Sequence, residues 1–182
     1  QNTGDNQWMR DYGAEMILDT AAFWESRVSW NEQRQSYDIL NVIGPDENHE
    51  QVDNNAFTNV MVRWHLNTVG KLWEWLTKNY PEKATQLAVK LNINPQRLEN
   101  FAFIADNIYL NQDSETGLIE QFDGFYNLEY VNFEDYEPRN KSMQGILGVE
   151  ETQARQILKQ PDVLMLFYMM RDRFDLETIA AN

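Results

Sequence analysis

Apolar positions recur at helical rather than strand spacing along most of this chain. Between Trp8 and Trp30, Met9, Tyr12, Met16, Leu18, Ala22, Phe23 and Arg27 follow helical spacing and mix apolar and polar faces. That spacing predicts a long helix packed on one side, with Gly4-Asp5-Asn6 as its turn and cap. Asn31 to Ser36 is polar and reads as a turn, and Tyr37 to Ile43 as a short extended or irregular segment. Asn55 to Asn79 predicts a second long helix, rich in Trp64, Leu66, Leu72, Trp73, Trp75 and Leu76. Gly70 inside it marks a kink or a close packing contact. Pro81 opens a helix to Leu91, because proline fits the first helical position. Asn94-Pro95 repeats that signal, and Leu98, Phe101, Ile104, Ala105 and Ile108 carry the helix to about Leu110.

Beyond Leu110 the pattern changes. Asp113 to Gly117 is a turn, and Leu118 to Phe125 a short strand or loop with Gly124 at a tight point. Asn132 to Gly145 is charged and irregular. Glu150 to Lys159 predicts a helix, Val163 to Met170 is an apolar run opened by Pro161, and Asp175 caps a last helix from Leu176. Helices joined by long loops, with little strand pattern, predict an all-α class. A helix under about 12 residues is marginal without packing, so a chain stopping soon after Asp175 is expected to be a piece of a longer protein. No internal repeat is visible.

Composition narrows the functional classes. The 182 residues suit one domain, and 42% are apolar, with six Trp, eight Tyr and nine Phe. A sizeable core is within reach, and most of these aromatics belong in it. The remainder suit stacking on sugar rings, a homodimer face of the full-length protein, or surface left open by truncation. A formal charge of −14 and a pI near 4.4 argue against nucleic acid and anionic membranes. With no Cys, a disulfide scaffold and a thiolate metal site are excluded, and a reducing cytoplasm is compatible. No leader and no apolar run near ~18 residues stands out.

The densest chemistry lies between Val42 and Asn59. Gly44-Pro45 forces a turn, and Asp46, Glu47, His49, Glu50 and Asp53 crowd after it. Polar groups on a loop held by rigid elements are where catalytic and binding groups tend to sit. The residues alone fit equally well a turn in which Asp46 or Asp53 caps a helix and the other acids are solvated. They lack the alternating acids and closing Glu of a calcium loop, so no metal is expected.

Gly44-Pro45-Asp46-Glu47-x-His49-Glu50-x-Val52-Asp53-Asn54-Asn55-Ala56-Phe57-Thr58-Asn59 resembles the catalytic-acid segment of glycoside hydrolase family 65. Glu120-Gln121-Phe122-Asp123-Gly124-Phe125 and Ile157-Leu158-Lys159-Gln160-Pro161-Asp162-Val163 resemble two later segments of that family, and the likeness runs from the first helix to Asp175. The family contains inverting phosphorylases of maltose, trehalose, kojibiose and nigerose. The resemblance implies a segment of one (α/α)6-barrel catalytic domain, roughly its later half, over residues 1–182 and incomplete at both ends.

The resemblance also implies an activity: an α-linked glucose disaccharide and inorganic phosphate give β-glucose 1-phosphate and a free sugar. Phosphate is a co-substrate, and no cofactor is implied. Glu47 falls on the general acid. Lys159 and Gln160 fall on the pair that touches the donor glucose, with Asp46 and His49 beside them in substrate binding. Glu120, Gln121 and Asp123 are candidates to face the cleft. Asn48 replaces a common Tyr, and Pro161 a common Ala. Family segments written Trp-Asp, upstream, and His-Gly-Ser-Ser, downstream, are not found here. Like-charge neighbours and burial are expected to keep Glu47 protonated. A trehalase-like hydrolase of the same family and a non-catalytic helical carbohydrate-binding module remain as alternatives. Read from the residues alone, Lys159 also fits a solvated residue at a helix C-terminus.

Overall fold

A computed structural model describes residues 4–182. The chain opens with α1 (Asn6–Trp8), a π-helical turn (Met9–Gly13) and α2 (Ala14–Arg27), followed by the strands β1 (Val28–Asn31) and β2 (Ser36–Ile39). Three long helices follow: α3 (Ala56–Asn79), α4 (Pro81–Leu91) and α5 (Pro95–Asn107). After them come α6 (Met143–Leu147), α7 (Val149–Gln153), α8 (Asp162–Met169) and α9 (Leu176–Ala181), with 3-10 turns at Phe125–Asn127, Phe133–Tyr136 and Arg171–Arg173. Among the described residues the β1–β2 hairpin is the only sheet, so the class is all-α as expected.

The first helix ends earlier than its spacing suggests. Val28 and Trp30, a β-branched and an aromatic residue, favour extended backbone. Trp30 packs edge-on against Tyr37 across the hairpin, with ring centroids 5.1 Å apart. Residues 31–36 supply the expected turn. Gly70 neither kinks α3 nor meets a close neighbour: the helix runs unbroken, with open space where a side chain would be. α5 stops at Asn107, because Ile108 is extended and bridges Tyr37. The helix expected over 150–159 stops at Gln153, since Arg155 leaves it to form a parallel bridge with Glu129. Lys159 therefore sits on a loop.

The chain divides into two compact units. The first takes in the chain to Tyr37 and Met61–Ile108. Its core is apolar: Leu18 and Ala21 of α2, Leu66, Val69 and Leu76 of α3, Leu87 of α4, and Phe101 and Ile104 of α5 are all buried. Proline opens both α4 and α5, and Asn94 caps α5 by accepting from the Arg97 N–H at 2.9 Å.

The second unit is Asp38–Val60 with Tyr109–Asn182. Ala56, Ile119 and Phe167 form one small apolar cluster, supported by Leu110, Val163, Phe174 and Ile179. Val131, Met143 and Ile157 form another. Between short helices the backbone is held largely by side chains, and these build the site. Asp175 caps α9 as expected, accepting from the Thr178 N–H at 2.7 Å.

Candidate active site

The Gly44–Asn55 loop is clipped at both ends. Val42 and Val52 pair in both directions at 2.9 Å. Asn54, at φ 52°, lies in the left-handed region that Asn tolerates. Its Oδ1 accepts from the Ile39 N–H and from Asn59 Nδ2, and its Nδ2 donates to Asp38 and Asp123. Asn55, not an aspartate, caps α3: its Oδ1 accepts from the Thr58 N–H at 2.9 Å and the Thr58 hydroxyl at 3.0 Å. Asp53 instead accepts from the Asn41 N–H at 2.8 Å. The capping alternative for the acids of this loop is thereby corrected.

Asp46 is buried and acts as a hub. Its Oδ1 accepts from the N–H groups of Lys159 (2.9 Å), Asn48 (3.2 Å) and Gln160 (3.5 Å). Its Oδ2 takes His49 Nδ1 at 2.8 Å and Gln121 Nε2 at 3.0 Å. Burial pushes this carboxyl's pKa up, but the His49 and backbone hydrogen bonds win and hold it below the ordinary Asp value. His49 lies against the rings of Phe122 and Phe125. Its Nε2 meets the Arg155 carbonyl at 2.9 Å. Both ring nitrogens thus lie within hydrogen-bond reach of protein oxygens.

Glu47 follows a different rule from its neighbours. Asp46 and Asn48 are buried on either side, which leaves Glu47 projecting outward, its side chain 64% exposed. The burial expected for it is not found, and Asp46 is turned away into its own hydrogen-bond cage. Glu47 Oε2 instead meets the Lys159 ammonium at 2.6 Å. The Glu47 backbone N–H donates to Gln160 Oε1 at 3.3 Å. Glu47 and the consecutive pair Lys159-Gln160, from two distant parts of the sequence, therefore share one small surface. A cleft of about 500 Å³ adjoins it, lined by Asn48, Phe133, Ser142, Gln144, Leu158 and Lys159 among others.

The glycosyl hydrolase family 65 central catalytic domain matches residues 1–182. The chain belongs to that family. It is 36% identical over 182 residues to a kojibiose phosphorylase of Caldanaerobacter subterraneus subsp. tengcongensis, covering 99% of this chain and 24% of that protein. A kojibiose phosphorylase of Halothermothrix orenii is 34% identical over 100% of this chain and 23% of its own length. A 1,2-α-glucosylglycerol phosphorylase of Bacillus selenitireducens is 33% identical, again over 100% of this chain and 24% of its own length. Among solved structures, a protein assigned as a kojibiose phosphorylase from the human microbiome superposes with a TM-score of 0.86 at 26% identity. That match covers 99% of this chain and 23% of the other. The chain thus spans about a quarter of the length of these relatives, and it is part of a helical-barrel fold.

Within this family 65 chain, the remaining sequence candidates turn inward. Asp46 and His49 are buried, and their polar atoms are engaged in hydrogen bonds within the protein that hold the loop. Gln121 is buried too, joining Asp46 to α8: its Oε1 accepts the Asp162 N–H at 3.2 Å. Asp123 bonds Asn54, and Glu120 accepts from the Tyr126 N–H at 3.0 Å and from Asn111. None of these three lines the cleft beside Glu47. Sequence reasoning missed Asn54, Asn55 and Asp162 as parts of the network. The double Asn after Asp53 was a visible signal, since paired amides on a loop offer donors and acceptors together.

No helix among the described residues is long and apolar enough to cross a membrane.

Proposed function

We propose that residues 1–182 are a segment of one catalytic domain of an inverting α-glucoside phosphorylase, with Glu47 as general acid. The observation that carries this is the meeting of Glu47 with Lys159 at 2.6 Å and with Gln160 at 3.3 Å. It supports the reading because it sets the proposed acid's carboxyl beside an ammonium and an amide that suit sugar hydroxyls. Phosphorylase relatives that match nearly all of the chain point the same way.

In this reading Glu47 protonates the glycosidic oxygen as inorganic phosphate attacks the anomeric carbon from the opposite face. The C–O bond breaks, the acceptor sugar leaves with the proton, and β-glucose 1-phosphate forms. An inverting hydrolase would need a second carboxylate to activate water; here phosphate is itself the nucleophile, and no further cofactor is required. Lys159 and Gln160 hold the donor glucose. Sugar hydroxyls at Lys159 compete with Glu47 for the ammonium hydrogens. Asp46 and His49 serve as supports, and the cleft beside Lys159 receives sugar. The setting is cytoplasmic, where phosphate and glucose phosphates are used.

The full-length protein should release glucose 1-phosphate from an α-linked glucose disaccharide only when phosphate is present. Glu47→Gln should lower kcat by roughly 10²–10⁴-fold, the range for a lost general acid, while sugar still binds. Glucose release without phosphate would favour the hydrolase. A Glu47→Gln protein with unchanged kcat would remove Glu47 from the chemistry.

A further inference from the structure

Asp162 takes no part in the chemistry proposed above, yet it is 0% exposed. It is the first residue of α8 and follows Lys159-Gln160-Pro161 directly. Its Oδ2 accepts from Asn55 Nδ2 at 2.7 Å, and the Asp46 backbone also bonds its carboxyl. Its Oδ1 is buried with no hydrogen-bond partner. An ionised oxygen left without a donor in such a place is costly, and a neutral acid much less so.

The neighbours pull in both directions, and burial decides for the neutral form. The charged groups that face Asp162 are the Asp46 carboxylate and the His49 imidazole of the loop. From α3 and from the segment at Gln121 it meets amides, Asn55 and Gln121. Burial pushes its pKa up to about 6, with the Asp46 charge adding to that and the Asn55 bond, the Asp46 backbone bond and the His49 ring opposing it.

Geometry ties this residue to the site. Gly44 comes so close that a Cβ there would overlap Asp162 Oδ2 and the Asn55 amide. The Asp162 N–H donates to Gln121, Gln121 donates to Asp46, and Asp46 accepts the Lys159 N–H. The first turn of α8 is thus bonded to the loop that carries Glu47 and to the backbone of Lys159.

We propose that Asp162 is a positioning residue: in its protonated form it lets the Gly44–His49 turn seat against α8, and so keeps Glu47 opposite Lys159 and Gln160. Its catalytic consequence rests on the roles given above to those three residues; its structural consequence does not. The sign of the pH dependence follows from a folded pKa above the unfolded 3.8. The stabilisation is complete below about pH 3.8 and is lost as pH rises through about 6.

The test uses the full-length protein as wild type, Asp162→Asn and Asp162→Ala. Asn imitates the neutral acid at every pH. Hydrogen exchange over residues 42–55 and 155–162, with thermal unfolding, is followed from pH 5 to pH 8. Wild type should trail Asp162→Asn by a smaller margin at pH 5 than at pH 8, in melting temperature and in protection of both segments. Asp162→Ala should speed exchange in both segments about tenfold or more and raise KM, while Asp162→Asn keeps kcat and KM within about threefold at pH 6. A wild-type–Asp162→Asn difference that is the same at both pH values overturns the proposal, even if Asp162→Ala does not fold. So does loosening by Asp162→Ala that is confined to residue 162. If wild type turns over no disaccharide, the phosphorylase reading falls, and the exchange data still decide this one.

Discussion

The two units are held together by different chemistry. In the first, the buried side chains are mostly Leu, Val, Ile, Ala and Phe, on long helices that satisfy their own backbone groups. In the second, Asp46, His49, Asn54, Asn55, Gln121 and Asp162 are buried, and they bond each other and a backbone with little regular structure. Apolar packing is non-directional and tolerates small errors. A buried polar network is directional, and one missing partner leaves another group unsatisfied. The first unit should therefore lose stability in proportion to the volume removed. The second should lose geometry, and with it activity, before it loses its fold.

Substitutions in each unit sharpen that contrast. The largest expected loss of stability is in the first unit. Phe101→Ala removes a ring that is 1% exposed and should cost about 3–5 kcal/mol by chemical denaturation. KM for the protein that remains folded should be unchanged. Gly44→Ala should cost less, about 1–3 kcal/mol for overpacking, because the added methyl meets Asp162 and Asn55. Its effect on phosphorolysis should be the greater one, since a shift of about 1 Å at a positioned group can cost on the order of 10²-fold. If Gly44→Ala unfolds the protein and Phe101→Ala raises KM, the division of labour is wrong. The smallest effect belongs to Asn94→Ala, which removes the α5 cap and should cost about 1 kcal/mol with no change in kcat.

The sequence made the first unit legible for the same physical reason. Helical spacing, Pro81, Asn94 and Pro95 carry local signals, and α4 falls on its predicted bounds, Pro81–Leu91. What escaped was decided by partners far along the chain. Val28 to Asn31 has enough helical spacing to extend α2, but pairing with Ser36–Ile39 takes it into a hairpin. Lys159 reads as a helix end until Arg155 leaves to pair with Glu129. In the site, the motif pointed to Glu47, Lys159 and Gln160, and the structure brings these together. The motif did not say which acids face in. Asp46 and His49 read as sugar contacts because they are polar and next to Glu47, but their partners at Gln121, Arg155 and Lys159 draw them inside. Asp162 carried no signal of its own in the sequence, and its buried, partnerless oxygen is a property of packing that no local pattern carries.

The pairing of Glu47 with Lys159 spans 112 positions of sequence. At about 5–20 residues per second, a ribosome needs roughly 6–20 s to make the stretch between them. For that interval the nascent loop has its acid but not its counterpart, and Asp46 must stay hydrated in the meantime. The long helices can form as they emerge, whereas the pocket closes only after the segment at Lys159 has cleared the exit tunnel. Synonymous codons that slow translation past residue 160 would prolong this open interval and expose the loop to chaperones and proteases.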